Sequence, residues 1–125
     1  MTTGSLGKVY QSGEVIIQQG EVGDCMYVVQ EGQVEVILEG EGGQTHRVGV
    51  RGEGEFFGEM AIFDRDVRSA TVRALGEARI LTVDKKNFMR RVHEDPSLAF
   101  RLVETMSGRI RELDDEVARL KGMAR

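Results

Sequence analysis

Apolar residues in the first two thirds of the chain fall in short runs separated by glycine. Val15-Ile16-Ile17, Met26-Tyr27-Val28-Val29 and Val34-Glu35-Val36-Ile37-Leu38 are rich in β-branched and aromatic side chains. Gly20-x-x-Gly23-Asp24 and Glu31-Gly32, which separate them, have turn chemistry. Further strands are predicted at 47–50, 70–74 and 80–83, with Gly40-Glu41-Gly42-Gly43 as a hairpin tip. A turn about every ten residues predicts many short antiparallel strands, hence a sandwich or jelly-roll barrel and not alternating strand–helix units. The period changes after Asp84. Phe88, Met89 and Val92 have helical spacing, Glu94-Asp95-Pro96 breaks the chain, and a longer helix is predicted from about Ser97.

With 125 residues the chain has the size of one domain, large enough to form a core without disulfide or metal staples. Cys25 is the single cysteine and has no partner for an intrachain disulfide. No apolar run reaches the roughly 18 residues of a bilayer span, and the first residues lack a signal-peptide core, so a soluble, cytoplasmic protein is expected. Residues 1–7, small and polar, are expected to be a disordered start or a vector remnant. The domain is then 8–125, with a barrel over about 8–84 and C-terminal helices over about 85–122.

Charge narrows the partners. The net charge of −4 conceals an acidic 1–84, with 7 Lys/Arg against 14 Asp/Glu, and a basic remainder. An acidic majority argues against a non-specific nucleic-acid or membrane binder, since both need a broad basic face, and any anionic ligand must be held locally.

The segment from Phe56 to Ala74 offers such a hold. It reads Phe56-Phe57-Gly58-Glu59-Met60-Ala61-Ile62-Phe63-Asp64-Arg65-Asp66-Val67-Arg68-Ser69-Ala70-Thr71-Val72-Arg73-Ala74. Gly58 lets backbone approach a ligand closely, and the amides that open a short helical turn at Gly58–Ala61 favour an anion. An arginine entering a strand supplies a fork that matches two phosphate oxygens, which lysine cannot do. Glu59 would repel that anion unless it binds something else, and a ribose hydroxyl on the same ligand is the obvious donor. Phosphate and ribose together indicate a nucleotide.

Phe57-Gly58-Glu59-Met60-Ala61, followed nine residues after the glutamate by Arg68-Ser69-Ala70-Thr71-Val72, resembles the phosphate-binding cassette of the cyclic nucleotide-binding domain family. Gly13-Glu14-Val15-Ile16, Gly20-Glu21-x-Gly23-Asp24 and Met26-Tyr27-Val28-Val29-x-x-Gly32 resemble its early strands, and Asp95-Pro96 its entry to a final helix. The resemblance implies a double-stranded β-helix (jelly-roll) barrel followed by C-terminal helices, the last a dimerisation helix. It implies that Arg68 grips the exocyclic phosphate oxygens and that Glu59 accepts from the ribose 2′-hydroxyl. Gly58, Met60, Ala61, Ser69 and Ala70 would present backbone amides, with Phe57 and Thr71 bounding the site and the Ser69 hydroxyl adding a bond. Two departures stand out: Val67 replaces the proline common before the arginine, and almost nothing precedes Lys8 where the family has a helix.

Plainer readings stand beside these. Glu59 and Arg68 form an ordinary ion pair in one; Arg65 and Arg73 are surface charges; His46 and His93, lacking metal-ligand spacing, lie on the surface. Phe56, Phe57 and Phe63 are core, and Cys25 a small buried hydrophobe.

The last helix carries Val103, Met106, Ile110, Leu113, Val117 and Leu120 in alternating steps of 3 and 4, a heptad seam. β-branched residues at a favour two parallel strands. In a parallel pair Arg109 would meet Asp114, and Glu116 would meet Lys121, both opposite in sign, which sets orientation more than strength. A parallel homodimer is therefore expected. The alternative, packing of the seam on the barrel, is retained for its early part with Phe100 and Leu102.

No nucleophile elbow, His or Cys dyad or metal set is present, so a non-catalytic sensor without cofactor is expected. A double-stranded β-helix metal enzyme would need inward histidines, and only two exist, unpaired. A structural dimerisation protein with a vestigial pocket is the alternative. As to the base, alignment from Pro96 with bacterial catabolite-activator relatives puts Leu113 and Asp114 where hydroxyls reach adenine. Asp114 there suits the N–H donors of guanine, but the heptad assigns it to Arg109. The resemblance leans to cyclic AMP, expected to bind at least as well as cyclic GMP, with any preference under about tenfold.

Overall fold

The computed structural model describes residues 7–63 and 66–123, and within them all side chains except those of 63, 66, 113, 114, 116 and 120–123. The expectations for residues 1–6, for Arg65 and for the side chains of Phe63, Leu113, Asp114, Glu116, Leu120 and Lys121 lie outside the described residues.

The elements in chain order are β1 (Lys8–Tyr10), β2 (Val15–Ile17), β3 (Val22–Gly23), β4 (Cys25–Glu39), β5 (Thr45–Arg51), β6 (Phe56–Phe57), α1 (Met60–Phe63), β7 (Asp66–Val67), β8 (Thr71–Asp84), α2 (Lys85–Glu94) and α3 (Ser97–Met123). One antiparallel sheet runs β1-β8-β4-β5, with β2 also on β8 and β6 on β4, while β3 and β7 form a separate two-stranded ribbon. Residues up to Lys85 and those from Lys86 onward are two compact units.

Two predicted boundaries are wrong for one reason. The runs at 26–29 and 34–38 were expected as separate strands, as were 70–74 and 80–83; they are the continuous β4 and β8. Gly32, at φ +83°, does not turn the chain back but sits in a bulge, where the β4–β8 register shifts between Val29 and Gln33. Gly76, at φ +77°, takes the left-handed conformation on the opposite strand. Both strands thus bend together without ending, which is what a glycine inside a strand permits. The 40–43 tip is a hairpin as predicted, closing through a 3-10 turn at Glu41–Gly43.

Alternation along β4 and β8 builds the core. Val34 pairs with Ala74 and Val36 with Val72, and directly opposed residues share a face. That face carries a cluster of Ile17, Val29, Val34, Phe57, Val72, Ala74, Ala78 and Ile80, with Val34 fully buried. The opposite face holds Glu35, also buried, whose carboxylate accepts from Arg73 Nε at 2.6 Å and from Arg47 at 2.9–3.0 Å. Arg73, read from sequence as a surface charge, is thereby a structural partner. These hydrogen bonds, that of Arg73 foremost, hold the Glu35 carboxyl below the usual carboxylate range. A depressed carboxylate contributes stability above its unfolded pKa and loses it as pH falls through the folded value. Thermal melts of wild type and Glu35→Gln from pH 7 to 3 are therefore expected to show a Tm gap that closes below about pH 4. A gap independent of pH contradicts the charge argument.

In the helical unit, Asp95 starts α3. Its Oδ1 accepts from the Ser97 amide at 3.2 Å and from the Ser97 hydroxyl at 2.6 Å, and Pro96 takes the first-turn position where a missing N–H costs nothing. The Ser97 hydrogen bonds lower the Asp95 pKa. Phe88 and Leu102 are buried. Phe100 is not: at 66% exposure it departs from the expected packing of the early seam. Val103, Ile110 and Val117, the three a positions, are exposed by 61%, 58% and 43%. Among the described residues no helix is long and apolar enough to cross a membrane.

Candidate functional site

Arg68 lies immediately after β7 and just before β8, and the β3–β7 ribbon fixes its backbone. Its amide donates to Glu21 O at 2.7 Å and its carbonyl accepts from the Gly20 amide at 2.9 Å. The side chain turns inward from there. Nη1 donates to Gly58 O at 3.0 Å, Nη2 to Cys25 O at 2.7 Å, and the guanidinium carbon lies 5.8 Å from the Tyr27 ring centroid. Burial above all, with hydrogen bonding to Cys25 next, pushes the Tyr27 phenol well above its ordinary range, so the ring stays neutral against the cation.

Two glycines make this pose possible. A Cβ on Gly23 would overlap the Arg68 guanidinium. Gly58, at φ +72°, adopts a conformation that side chains resist, and a Cβ there would come to 2.8 Å from Arg68 Nη1 and 3.0 Å from Ile17 Cδ1. Gly58 was singled out from sequence, whereas Gly23 was read only as turn chemistry. Its Gly-x-x-Gly spacing was visible, but its reason, a guanidinium arriving from 45 positions away, was not.

The structure joins Gly58 to Arg68 directly and sets Ser69, exposed, and Ala70, half-buried, beside that arginine. Met60 is exposed and Ala61 buried, at the start of α1. The Ala61 amide leans on Gly58 O at a long 3.3 Å. Glu59 is half-buried. Phe57 is core, stacked on Tyr27 with centroids 5.3 Å apart. Thr71 faces away from Val72: its hydroxyl accepts from the Gln19 amide at 2.9 Å and donates to Glu39, bracing the end of the segment. His46 and His93 are exposed as expected, but Cys25 is only half-buried, its carbonyl more engaged than its thiol.

A cleft of about 120 Å³ flanks Arg68, with Ile17, Glu21, Asp24 and Tyr27 in its wall. At roughly 30 Å³ per water it holds a few waters and not a nucleotide. A larger hollow of about 610 Å³ lies at the hairpin end, between Leu38 and His46, with no arginine in its lining. No group of metal-ligating side chains occurs among the described residues.

A family model described as cyclic nucleotide-binding domain matches residues 7–95. The chain is 31% identical over 110 residues to the cyclic AMP receptor protein of Thermus thermophilus, covering 88% of this chain and 51% of that protein. It is 38% identical over 82 residues to the cAMP-dependent protein kinase regulatory subunit of Schizosaccharomyces pombe, covering 66% and 19%. The crystal structure of Thermus thermophilus catabolite activator protein superposes with a TM-score of 0.83 at 29% identity, over 94% of this chain and 56% of that one. The chain thus spans about half the length of the bacterial protein and less of the kinase subunit. The jelly-roll barrel followed by helices is the architecture shared with that structure.

Proposed function

Because the chain belongs to the cyclic nucleotide-binding domain family, we propose that it is a non-catalytic sensor of a cyclic purine mononucleotide that relays occupancy through a dimer formed by α3. The observation that carries this is the Arg68 fork, held beside Gly58 and followed at once by the Ser69 and Ala70 amides. A charged donor pair with backbone donors beside it is what a phosphate requires. Glu59 takes the ribose 2′-hydroxyl. Cyclic AMP is the favoured ligand, a choice supported by the names of the relatives, with cyclic GMP within about tenfold. The exposed a positions Val103, Ile110 and Val117 support the dimer.

A second reading, a dimerisation protein with a vestigial pocket, draws on the fact that the Arg68 fork already bonds the Gly58 and Cys25 carbonyls. Titration calorimetry of the whole chain separates the two. Micromolar or tighter binding, about −8 kcal/mol, is expected for cyclic AMP, and absence of heat with both cyclic AMP and cyclic GMP favours the vestigial pocket.

A further inference from the structure

The ladder between β4 and β8 reaches the pairing of Ile37 with Thr71, and Glu39 lies beyond it, paired with Thr45 of β5. The peptide groups of Glu39 go instead to a side chain. Its amide donates to Gln19 Oε1 at 2.8 Å, and its carbonyl accepts from Gln19 Nε2 at 3.1 Å. A carboxamide has the donor and the acceptor of a peptide unit, so Gln19 stands in for a strand residue at the end of the ladder.

The Glu39 carboxylate extends the same clasp. Its Oε2 accepts from Gln18 Nε2 at 2.6 Å and from the Thr71 hydroxyl. Thr71 is only 2% exposed, and its hydroxyl also accepts from the Gln19 amide at 2.9 Å and from Gln18 Nε2 at 3.3 Å. One donor and two acceptor positions exhaust a hydroxyl. Removing the Glu39 carboxylate therefore leaves a buried O–H without its acceptor, a loss the segment can relieve only by moving.

The clasp bears on the site because the loop that it fastens also holds Arg68. Within that loop, between β2 and β3, the Gly20 amide donates to the Arg68 carbonyl at 2.9 Å and the Glu21 carbonyl accepts from the Arg68 amide at 2.7 Å. Ser69 and Ala70 are thus bracketed. The residue before them and the residue after them are both fastened to residues 19–21, and the start of that loop is fastened to Glu39.

We propose that Glu39 is a positioning residue of the nucleotide site, holding the Ser69 and Ala70 amides at the phosphate through Thr71 and Gln19. This rests on the reading of the site as a cyclic nucleotide pocket. Donors held to a fraction of an ångström distinguish the two exocyclic oxygens of a cyclic phosphate, and donors that drift do not. Loss of Glu39 therefore costs discrimination between those oxygens as well as affinity.

The test is competition of cyclic AMP and of the two diastereomers of its cyclic phosphorothioate against a fluorescent cyclic nucleotide on the whole chain. Each diastereomer carries sulfur, a larger and weaker acceptor than oxygen, at one of the two exocyclic positions. Partial unfolding weakens every ligand by one common factor, so the ratio of the two diastereomers is blind to it, whereas displaced amides change that ratio. Wild type is expected to prefer one diastereomer at least fivefold. In Glu39→Ala that preference is expected to shrink at least threefold, with cyclic AMP weakened at least threefold, while Glu39→Gln, which keeps an acceptor oxygen for Thr71, stays within twofold of the wild-type ratio. Gln19→Ala removes the carboxamide and leaves Glu39 in place; the same shrinkage is expected, which preserves the test should Glu39→Ala not fold. A wild type that binds both diastereomers alike, an equal loss for both in the variants, no loss, or no rescue by glutamine overturns the assignment. A wild type that binds neither cyclic AMP nor its analogues overturns the underlying reading of the site, a result distinct from these.

Discussion

Arg68→Ala is expected to raise the dissociation constant for cyclic AMP at least tenfold, or about 1.4 kcal/mol. The argument is one of exchange. In the structure the guanidinium bonds two neutral carbonyls, those of Gly58 and Cys25. A phosphate would offer charged acceptors, whose hydrogen bonds are roughly twice as strong as neutral ones. Nothing else in the barrel compensates, because residues 1–84 carry 14 acidic against 7 basic side chains. Screening beyond roughly 8 Å at physiological salt leaves the local fork to supply the attraction. Arg68→Lys keeps the charge without the fork and is expected to fall between wild type and alanine. Calorimetry reads the effect, and a thermal melt separates it from unfolding, since alanine also leaves two carbonyls without a donor. Unchanged affinity in a folded Arg68→Ala protein would sink the phosphate assignment.

How far the sequence disclosed this arrangement depends on the reach of each interaction. Strand identity, the hairpin tip and the start of α3 are local properties, written in Val15-Ile16-Ile17, Gly40–Gly43 and Asp95-Pro96, and all were legible. The continuity of β4 and β8 was not. Gly32 looks the same whether it turns a chain or bulges a strand, and its role is settled only by pairings such as Gln33 with Leu75, 42 positions apart. At Thr71, one step along β8 separates the core-facing Val72 from a hydroxyl that braces Gln19 and Glu39. Arg68, Gly58 and Glu59 stand within ten residues of one another, so the spacing that singles them out in the sequence is itself local. The acceptors of Arg68 were half readable: Gly58 is ten residues away and in the same segment, while Cys25 is 43 away and had been read as a packing residue. Glu35 shows what alternation alone suggests but does not prove. Flanked by Val34 and Val36 it had to face the other side, yet its two arginines come from β5 and β8.

Ile110→Asp combined with Val117→Asp is expected to convert a weak dimer into a monomer at every concentration tested. The steps of seven from Val103 to Ile110 to Val117 line up three β-branched side chains, each at least 43% exposed in the single chain. Burying a Val or Ile side chain fully yields about 1.5–3 kcal/mol relative to exposure. Six such side chains, three from each of two copies, supply roughly 10 kcal/mol gross, comparable with the 4–15 kcal/mol that association costs. The helix seam alone therefore leaves association close to balance, weak and sensitive to small changes. Phe100, exposed beside the seam, extends the apolar stripe and adds to the gain. Two aspartates at a positions would meet their counterparts across the two-fold axis, so four carboxylates would lose water with no cation opposite, and desolvation alone exceeds the margin. Sedimentation of wild type and variant at micromolar concentration, with and without cyclic AMP, measures this. A wild type that sediments as a monomer under both conditions removes α3 as the dimer element, and with it the proposed route by which occupancy of the pocket reaches a partner.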